Sequence, residues 1–383
     1  VIALVTVYSY VKLSLRYPSE GGTIEFIVQG FGNGLFAVLL NNLLLMSYII
    51  MLALYAYAFG SYGAVLLGAA NTQWVENMLI VGVITFFAMI NLMGSSMTGK
   101  TEDIMVITKL IILILFIAAG FMTVDTTRLQ PDTWTSTTSL VTGGLMIFLA
   151  YEGFELIANT AKDIEEPEKN LPRAYYGAVV FVMVLYIAIA AVAVGNVTLG
   201  EAEKAKDYVL AVAAKPFFGE TGFIIIAVAA LLSTASAINA TLYGGGRVGY
   251  LIAKLGDLPK SFEKRIKNGY EGVVIIALLS IIFAISFNLE NISVAGSLGF
   301  LIIFALVNLA NFKRYKETQS NRVIAGSGFL LCLGATVVLI GYNLMHSPQA
   351  LVSSALVLGM VFLFSYLYYK MERRHSILTQ EEP

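Results

Sequence analysis

Apolar residues in this chain are gathered into long runs, broken by short polar or Gly- and Pro-containing stretches. A bilayer core about 30 Å thick requires roughly 20 mainly apolar residues per helix, because every backbone amide must find its partner inside the segment. Such runs are read at residues 1–15, 34–58, 77–94, 104–124, 138–161, 173–195, 221–244, 272–288, 293–312, 323–344 and 350–369. The pattern therefore predicts an all-α, polytopic membrane protein with eleven visible spans. Tyrosines near run ends, such as Tyr175, Tyr176, Tyr366, Tyr368 and Tyr369, fit an interfacial belt or plain packing. The Lys- and Glu-rich stretch 201–220 reads as a solvated external loop.

Composition agrees with this and narrows the function. The chain is 58% hydrophobic and 13% charged, whereas soluble domains carry about a quarter charged residues. A single cysteine, Cys332, lies in an apolar run, so no disulfide framework is expected. The two histidines, His346 and His375, fall in loop and tail, and no His/Cys/Asp cluster has ligand spacing. No metal, cofactor or nucleic-acid partner is implied. No nucleophile, base and metal set converges, which argues against an enzyme. Gly244-Gly245-Gly246 does not follow a strand and is no phosphate-binding loop.

Charge sorting sets the orientation. Assigning Lys and Arg to alternate loops places 19 on one side and 4 (Arg128, Lys204, Lys206, Lys215) on the other, with Lys109 inside a span as the last of the 24. The basic side, which includes Lys100, Lys267, Arg373 and Arg374, is then cytoplasmic. Eleven spans with a cytoplasmic C-terminus would leave Val1 outside, in an apolar run with no signal peptide before it. The expectation is that one N-terminal span precedes this sequence.

Three places carry candidate chemistry. Phe148-Leu149-Ala150-Tyr151-Glu152-Gly153-Phe154-Glu155 puts two carboxylates and a glycine at the presumed midplane of a span. A charge at that depth costs about 2.5–3.5 kcal/mol, so it should face a cavity or partner, and Gly153 weakens the helix there. A helix broken at this point would expose backbone groups to a protein-enclosed cavity. The alternative is a continuous helix with Gly153 as a packing contact and the glutamates paired. Lys109 lies near the cytoplasmic end of its span, either as a desolvated ammonium that exchanges a proton or as a lysine snorkelling to the headgroups. Ser233 and Ser236 share one helix face, lining an ion or proton site or bonding a neighbouring helix.

The chain resembles the amino acid/polyamine/organocation superfamily of secondary transporters. The resemblance rests on Arg16-Tyr17-Pro18-Ser19-Glu20-Gly21-Gly22, on Tyr151-Glu152-Gly153-Phe154-Glu155 running through Glu166-Pro167-Glu168 to Pro172-Arg173-Ala174, and on Ser236 to Ala240 through Arg247 to Gly256-Asp257-Leu258-Pro259-Lys260. It implies twelve spans in LeuT-type inverted five-helix repeats: residues 1–124 hold spans two to five, 138–312 the second repeat, 323–369 two extra helices and 370–383 a cytoplasmic tail. The absent span would be the family's first. The resemblance further implies that carbonyls of Leu149, Ala150 and Glu152 accept a substrate ammonium, with Gly153 permitting the turn and Phe148 standing in for an aromatic lid. Ser47 and Met51 would line the side-chain pocket, and Glu155 matches an acidic gate. Lys109, Ser233 and Ser236 match the coupling positions of proton-driven relatives. The expected protein is a multi-pass cell-membrane importer of neutral or varied amino acids with the proton as coupling ion. An exchanger or polyamine carrier of the same fold, or a channel or membrane sensor, are the alternatives. Oligomeric state is not legible.

Overall fold

The computed structural model describes residues 1–70, 72–93, 98–134, 136–266 and 269–378. Its helices are α1 (Ile2–Arg16), α2 (Thr23–Phe31), α3 (Leu35–Leu66), α4 (Gln73–Met93), α5 (Thr98–Gly120), α6 (Thr137–Met146), α7 (Pro167–Asn196), α8 (Leu199–Ala205), α9 (Val209–Ala213), α10 (Lys215–Lys254), α11 (Glu271–Ser286), α12 (Leu289–Lys313), α13 (Arg322–His346) and α14 (Pro348–Leu378). A two-stranded antiparallel hairpin, β1 (Arg265–Ile266) and β2 (Gly269–Tyr270), precedes α11.

Among the described residues, seven helices are long and apolar enough to cross a membrane, or eight if the bent pair at Thr137–Met146 and Phe148–Thr160 is one span. Ile104–Gly120 and Glu271–Ser286 are shorter apolar helices, and α1 has 15 residues. Over the described residues each of the eleven expected segments is mainly helical, with a break inside 138–161, and several helices overrun the apolar stretch, α10 by more than a turn at its C-terminal end. Lys267 and residues 379–383 lie outside the described residues, as do the side chains of Lys100, Lys206, Arg373, Arg374 and His375.

Burial divides the helices into two sorts. In α3 and α12, 78% of the most apolar window is buried, against 11% in α7 and 28% in α13 and α14. α3 packs against α4, α10, α11, α12 and α14 and so occupies the middle. On α7, Phe181, Val184 and Ile187 are at least half exposed; an apolar face so open fits hydrocarbon as its solvent. Small residues permit the close crossings, as where a Cβ on Gly30 would stand 2.4 Å from that of Ala310. Polar residues inside the bundle are paired across helices: Ser9 donates to Asn308 (2.7 Å), Asn308 to Thr6 (3.0 Å) and Asn311 to Ser9 (3.2 Å), joining α1 to α12.

One expectation needs correction. The stretch 201–220 is not a plain solvated loop; it folds as α8, a 3₁₀ turn, α9 and the start of α10. Glu201, Glu203, Lys204, Lys215 and Glu220 are exposed, while Ala211, Ala213 and Ala214 pack with Phe116, Val192 and Ile226. The apolar run from Tyr208 to Ala214 supplies the buried face that the neighbouring charges obscure. Of the two roles open to the tyrosines, Tyr175 takes packing: it is fully buried and its hydroxyl pairs with Ser14 at 3.0 Å.

Candidate functional site

α6 ends at Met146, and the chain continues as a 3₁₀ turn over Phe148–Tyr151, an extended Glu152, and Gly153 at φ +113 and ψ −29. A second 3₁₀ segment, Phe154–Thr160, follows, and Phe148–Thr160 as a whole lies at 55° to α6. The helix expected to break at Gly153 is broken there. A Cβ on Gly153 would meet nothing within 4 Å, so the residue is required by its backbone conformation and not by space.

A break frees amides and carbonyls that must be satisfied inside the protein. Ser297 of α12 joins its two sides: its Oγ accepts the Leu149 N–H (3.2 Å) and its hydroxyl donates to the Met146 carbonyl (2.9 Å). The Leu149 carbonyl accepts the Glu152 N–H (3.0 Å), and the Ala150 carbonyl accepts the Tyr186 hydroxyl from α7 (3.0 Å). Two of the three carbonyls assigned to a substrate ammonium thus already hold one donor each, with a second lone pair remaining.

The two glutamates differ. Glu155 is 1% exposed; its Oε2 accepts the Gly153 N–H at 2.7 Å and its Oε1 the Tyr48 hydroxyl at 3.4 Å. Glu152 is half-buried, yet its Oε2 is fully enclosed with no hydrogen-bond partner. Among the described residues no Lys or Arg forms an ion pair with either. The pairing alternative for these acids is therefore not seen.

Around the turn, Leu149 is 1% exposed and lies over Gly296 of α12, whose Cβ would stand 2.7 Å from a Leu149 methyl. Ser47 reaches the same face of α12, since a Cβ on Gly299 would fall 2.6 Å from its Oγ. Its hydroxyl bonds its own helix at the Leu43 carbonyl (2.9 Å), and Met51 is buried in the shared core. Phe148 stands 6.0 Å from Phe304, which also meets Phe154 (5.1 Å) and Tyr10 (5.8 Å). Phe148 further lines a cleft of about 250 Å³ with Ile2, Leu145 and Tyr151. The structure thus gathers Phe148, Leu149, Glu152, Gly153, Glu155 and Ser47 around one turn.

Lys109, Ser233 and Ser236 lie apart from that turn. Lys109 is half-buried on α5, which packs along α10, the helix carrying half-buried Ser233 and buried Ser236. Phe116 meets Phe217 at 5.4 Å near the other end of this pair. At the chain's basic end, Arg247 of α10 bridges Glu20 (2.8 Å) across a cavity of about 350 Å³ that Tyr243, Tyr250 and Tyr270 also line. Arg247 holds the Glu20 carboxyl below its usual range. Sequence reasoning missed Ser297, Tyr186 and Tyr48. Ser297 had a weak signal, a hydroxyl between Gly296 and Gly299 in an apolar run, while the tyrosines resemble any packed aromatic.

The sequence is similar to known proteins along most of its length. An uncharacterized protein of Methanocaldococcus jannaschii is 35% identical over 376 residues, 98% of this chain and 86% of that protein. The inner membrane transport protein YbaT of Escherichia coli is 29% identical, covering 98% of this chain and 87% of its own length. The lysine-specific permease LysP of Lactococcus lactis is 25% identical over 81% of this chain and 69% of its own. Residues 1–369 match the amino acid permease family. With a broken, acid-bearing helix inside a bundle of apolar helices, this chain belongs to the amino acid permease family and to the amino acid/polyamine/organocation transporters.

Proposed function

We propose that the protein is a proton-coupled amino acid importer of neutral or broad specificity, working by alternating access around the turn at Phe148–Glu155. The observation that carries this reading is the break itself: backbone groups, buried Glu155 and half-buried Glu152 converge at the middle of a span, where a polar substrate must otherwise cross hydrocarbon. Gly153, with the carbonyls of Leu149, Ala150 and Glu152, forms the ammonium cradle in this proposal. Phe148, Ser47 and Met51 flank the side chain, and Glu155 gates the passage. Eleven spans, repeats at 1–124 and 138–312, extra helices at 323–369 and a cytoplasmic tail in a cell membrane complete it.

Coupling is assigned to Lys109 with Ser233 and Ser236. In this proposal the charge on Lys109 comes and goes between α5 and α10 and so biases one arrangement of these helices over another. Lys109→Ala should abolish uptake driven by a proton gradient in proteoliposomes while binding persists. Undiminished, still pH-dependent uptake by that variant would sink the assignment.

A second reading is favoured by one atom. The enclosed, unpartnered Oε2 of Glu152 suits a cationic group, so a basic amino acid or polyamine is the competing substrate class. Uptake of labelled leucine, alanine, lysine and putrescine by the same liposomes, with and without internal substrate, separates the classes and separates import from exchange.

A further inference from the structure

A groove between α3, α11 and α14 lies away from the helix break. Leu45 and Ile49 of α3, Leu279 and Phe283 of α11, and Met360 and Phe364 of α14 wall it, enclosing about 460 Å³. That volume falls in the range of roughly 300–1,000 Å³ found for small-molecule sites. Met360 and Phe364 are 58% and 44% exposed, so the groove opens to the surrounding lipid.

Its wall has a polar exception in Asn42, 5% exposed. The Asn42 amide nitrogen donates to Ser365 (2.9 Å) and to the Asp257 carbonyl (3.3 Å), and its Oδ1 is buried without a partner. An amide oxygen enclosed without a donor is costly, so the site is built for one. The bond to Asp257 fixes its level: it stands beside the connection after α10, whose Pro259 and Ser261 form the rim of the groove. Lys260, Lys264 and Arg265 are exposed along that rim, and exposed Lys370 follows Phe364 by less than two turns of α14. Asp257, whose carboxylate accepts from Asn41, Glu263 and Glu271 are the carboxylates in the same stretch, three against the four cations Lys260, Lys264, Arg265 and Lys370, which leaves the rim basic by one charge.

We propose that this groove is a phospholipid site. One acyl chain of an anionic lipid of the phosphatidylglycerol kind lies between α3, α11 and α14, a headgroup hydroxyl donates to Asn42 Oδ1, and the phosphate rests against Lys260 and Lys264. A choline headgroup has no donor for that oxygen, and ethanolamine leaves the basic rim uncompensated. The bound lipid fastens α14 to the central α3. The inference rests on the chain lying in a membrane and is independent of the substrate and coupling ion proposed above.

The test is native mass spectrometry of the full chain after exchange with vesicles of equal phosphatidylglycerol, phosphatidylethanolamine and phosphatidylcholine. Each lysine beside an anionic headgroup is worth a factor of about five. One retained phosphatidylglycerol, preferred over phosphatidylcholine by roughly 20-fold, is expected. Leu279→Trp, which fills the groove, and the surface pair Lys260→Glu with Lys264→Glu should each lose it, with thermal unfolding in lipid-free detergent checking the fold. The charge-reversed pair keeps the test decisive if the tryptophan disturbs packing. Equal retention of the three lipids, a preference for phosphatidylethanolamine, or undiminished phosphatidylglycerol on the charge-reversed chain would overturn the proposal.

Discussion

Replacing Gly153 by alanine isolates what the helix break demands of the chain. The new methyl would meet no atom within 4 Å, so the substitution brings no clash and its whole effect is conformational. Holding an L residue at φ +113 costs about 1–3 kcal/mol, of which a fraction returns because alanine restricts the unfolded chain by about 0.4–1 kcal/mol. The net expectation is a loss of about 1–2 kcal/mol. Gly143 gives the matched control: it sits inside helical α6, its Cβ would also meet nothing, and alanine there should stabilise by about 0.5–1 kcal/mol. The two variants should therefore move in opposite directions. Denaturant unfolding in mild detergent, followed through Trp74 and Trp134, gives both midpoints, and uptake by the same preparations reports the function of the turn. A Gly153→Ala protein as stable as the parent, or shifted like Gly143→Ala, would refute the claim that the break depends on this glycine.

Two further substitutions probe the surroundings of the turn. Ser297→Ala removes one hydroxyl and orphans two buried backbone groups, the Leu149 N–H and the Met146 carbonyl. A loss of about 1–3 kcal/mol is expected, its low end set by the modest strength of hydrogen bonds in membrane bundles, with Ser297→Thr restoring most of it; an unfolding midpoint and uptake equal to the parent would discount the role of Ser297. Glu20→Gln should raise the rate at which a thiol reagent labels Tyr243→Cys in a Cys332→Ser background in detergent, because the Arg247 bridge spans the cavity that Tyr243 lines. Since Arg247 lowers the Glu20 pKa from its usual 4.5, the bridge is present above that value and is lost only as pH falls through the lowered pKa. The ratio of the labelling rate with Glu20→Gln to that with Glu20, which cancels the falling thiolate fraction, should thus stay constant from neutral pH down to about 5; a fall of that ratio across the window, or no effect of Gln, counts against a closed bridge.

Much of this was legible because a membrane leaves few solutions for a backbone. Long apolar runs became helices, and Gly153 beside two acids marked the break, since neither feature is cheap in hydrocarbon. Partner choice was harder to read. Nothing in the sequence says that Ser297 on α12 and Tyr186 on α7 would take up backbone groups around Phe148–Tyr151, because hydrogen bonds between distant segments depend on helix rotation. Helix ends also escaped the pattern: the apolar period stops at the membrane boundary while α10 continues through Arg247 to Lys254. The packed alanines of 205–214 were hidden for a related reason, as small residues among charges give little hydropathic contrast.

The surface beneath the broken turn has a mechanical meaning. Leu149 rests over Gly296, Ser47 reaches Gly299, and Gly296 and Gly299 flank Ser297, the α12 hydroxyl that holds the turn. A glycine has no rotamers, so this stretch of α12 presents the same contour wherever the turn stands along it. A movement along this face would have to break and re-form the Ser297 bonds, while Phe304 farther along α12 and the Tyr186 hydroxyl on α7 hold the turn from other sides. On the glycine face of α12, resistance to such a movement would be set by a serine rather than by interdigitating side chains.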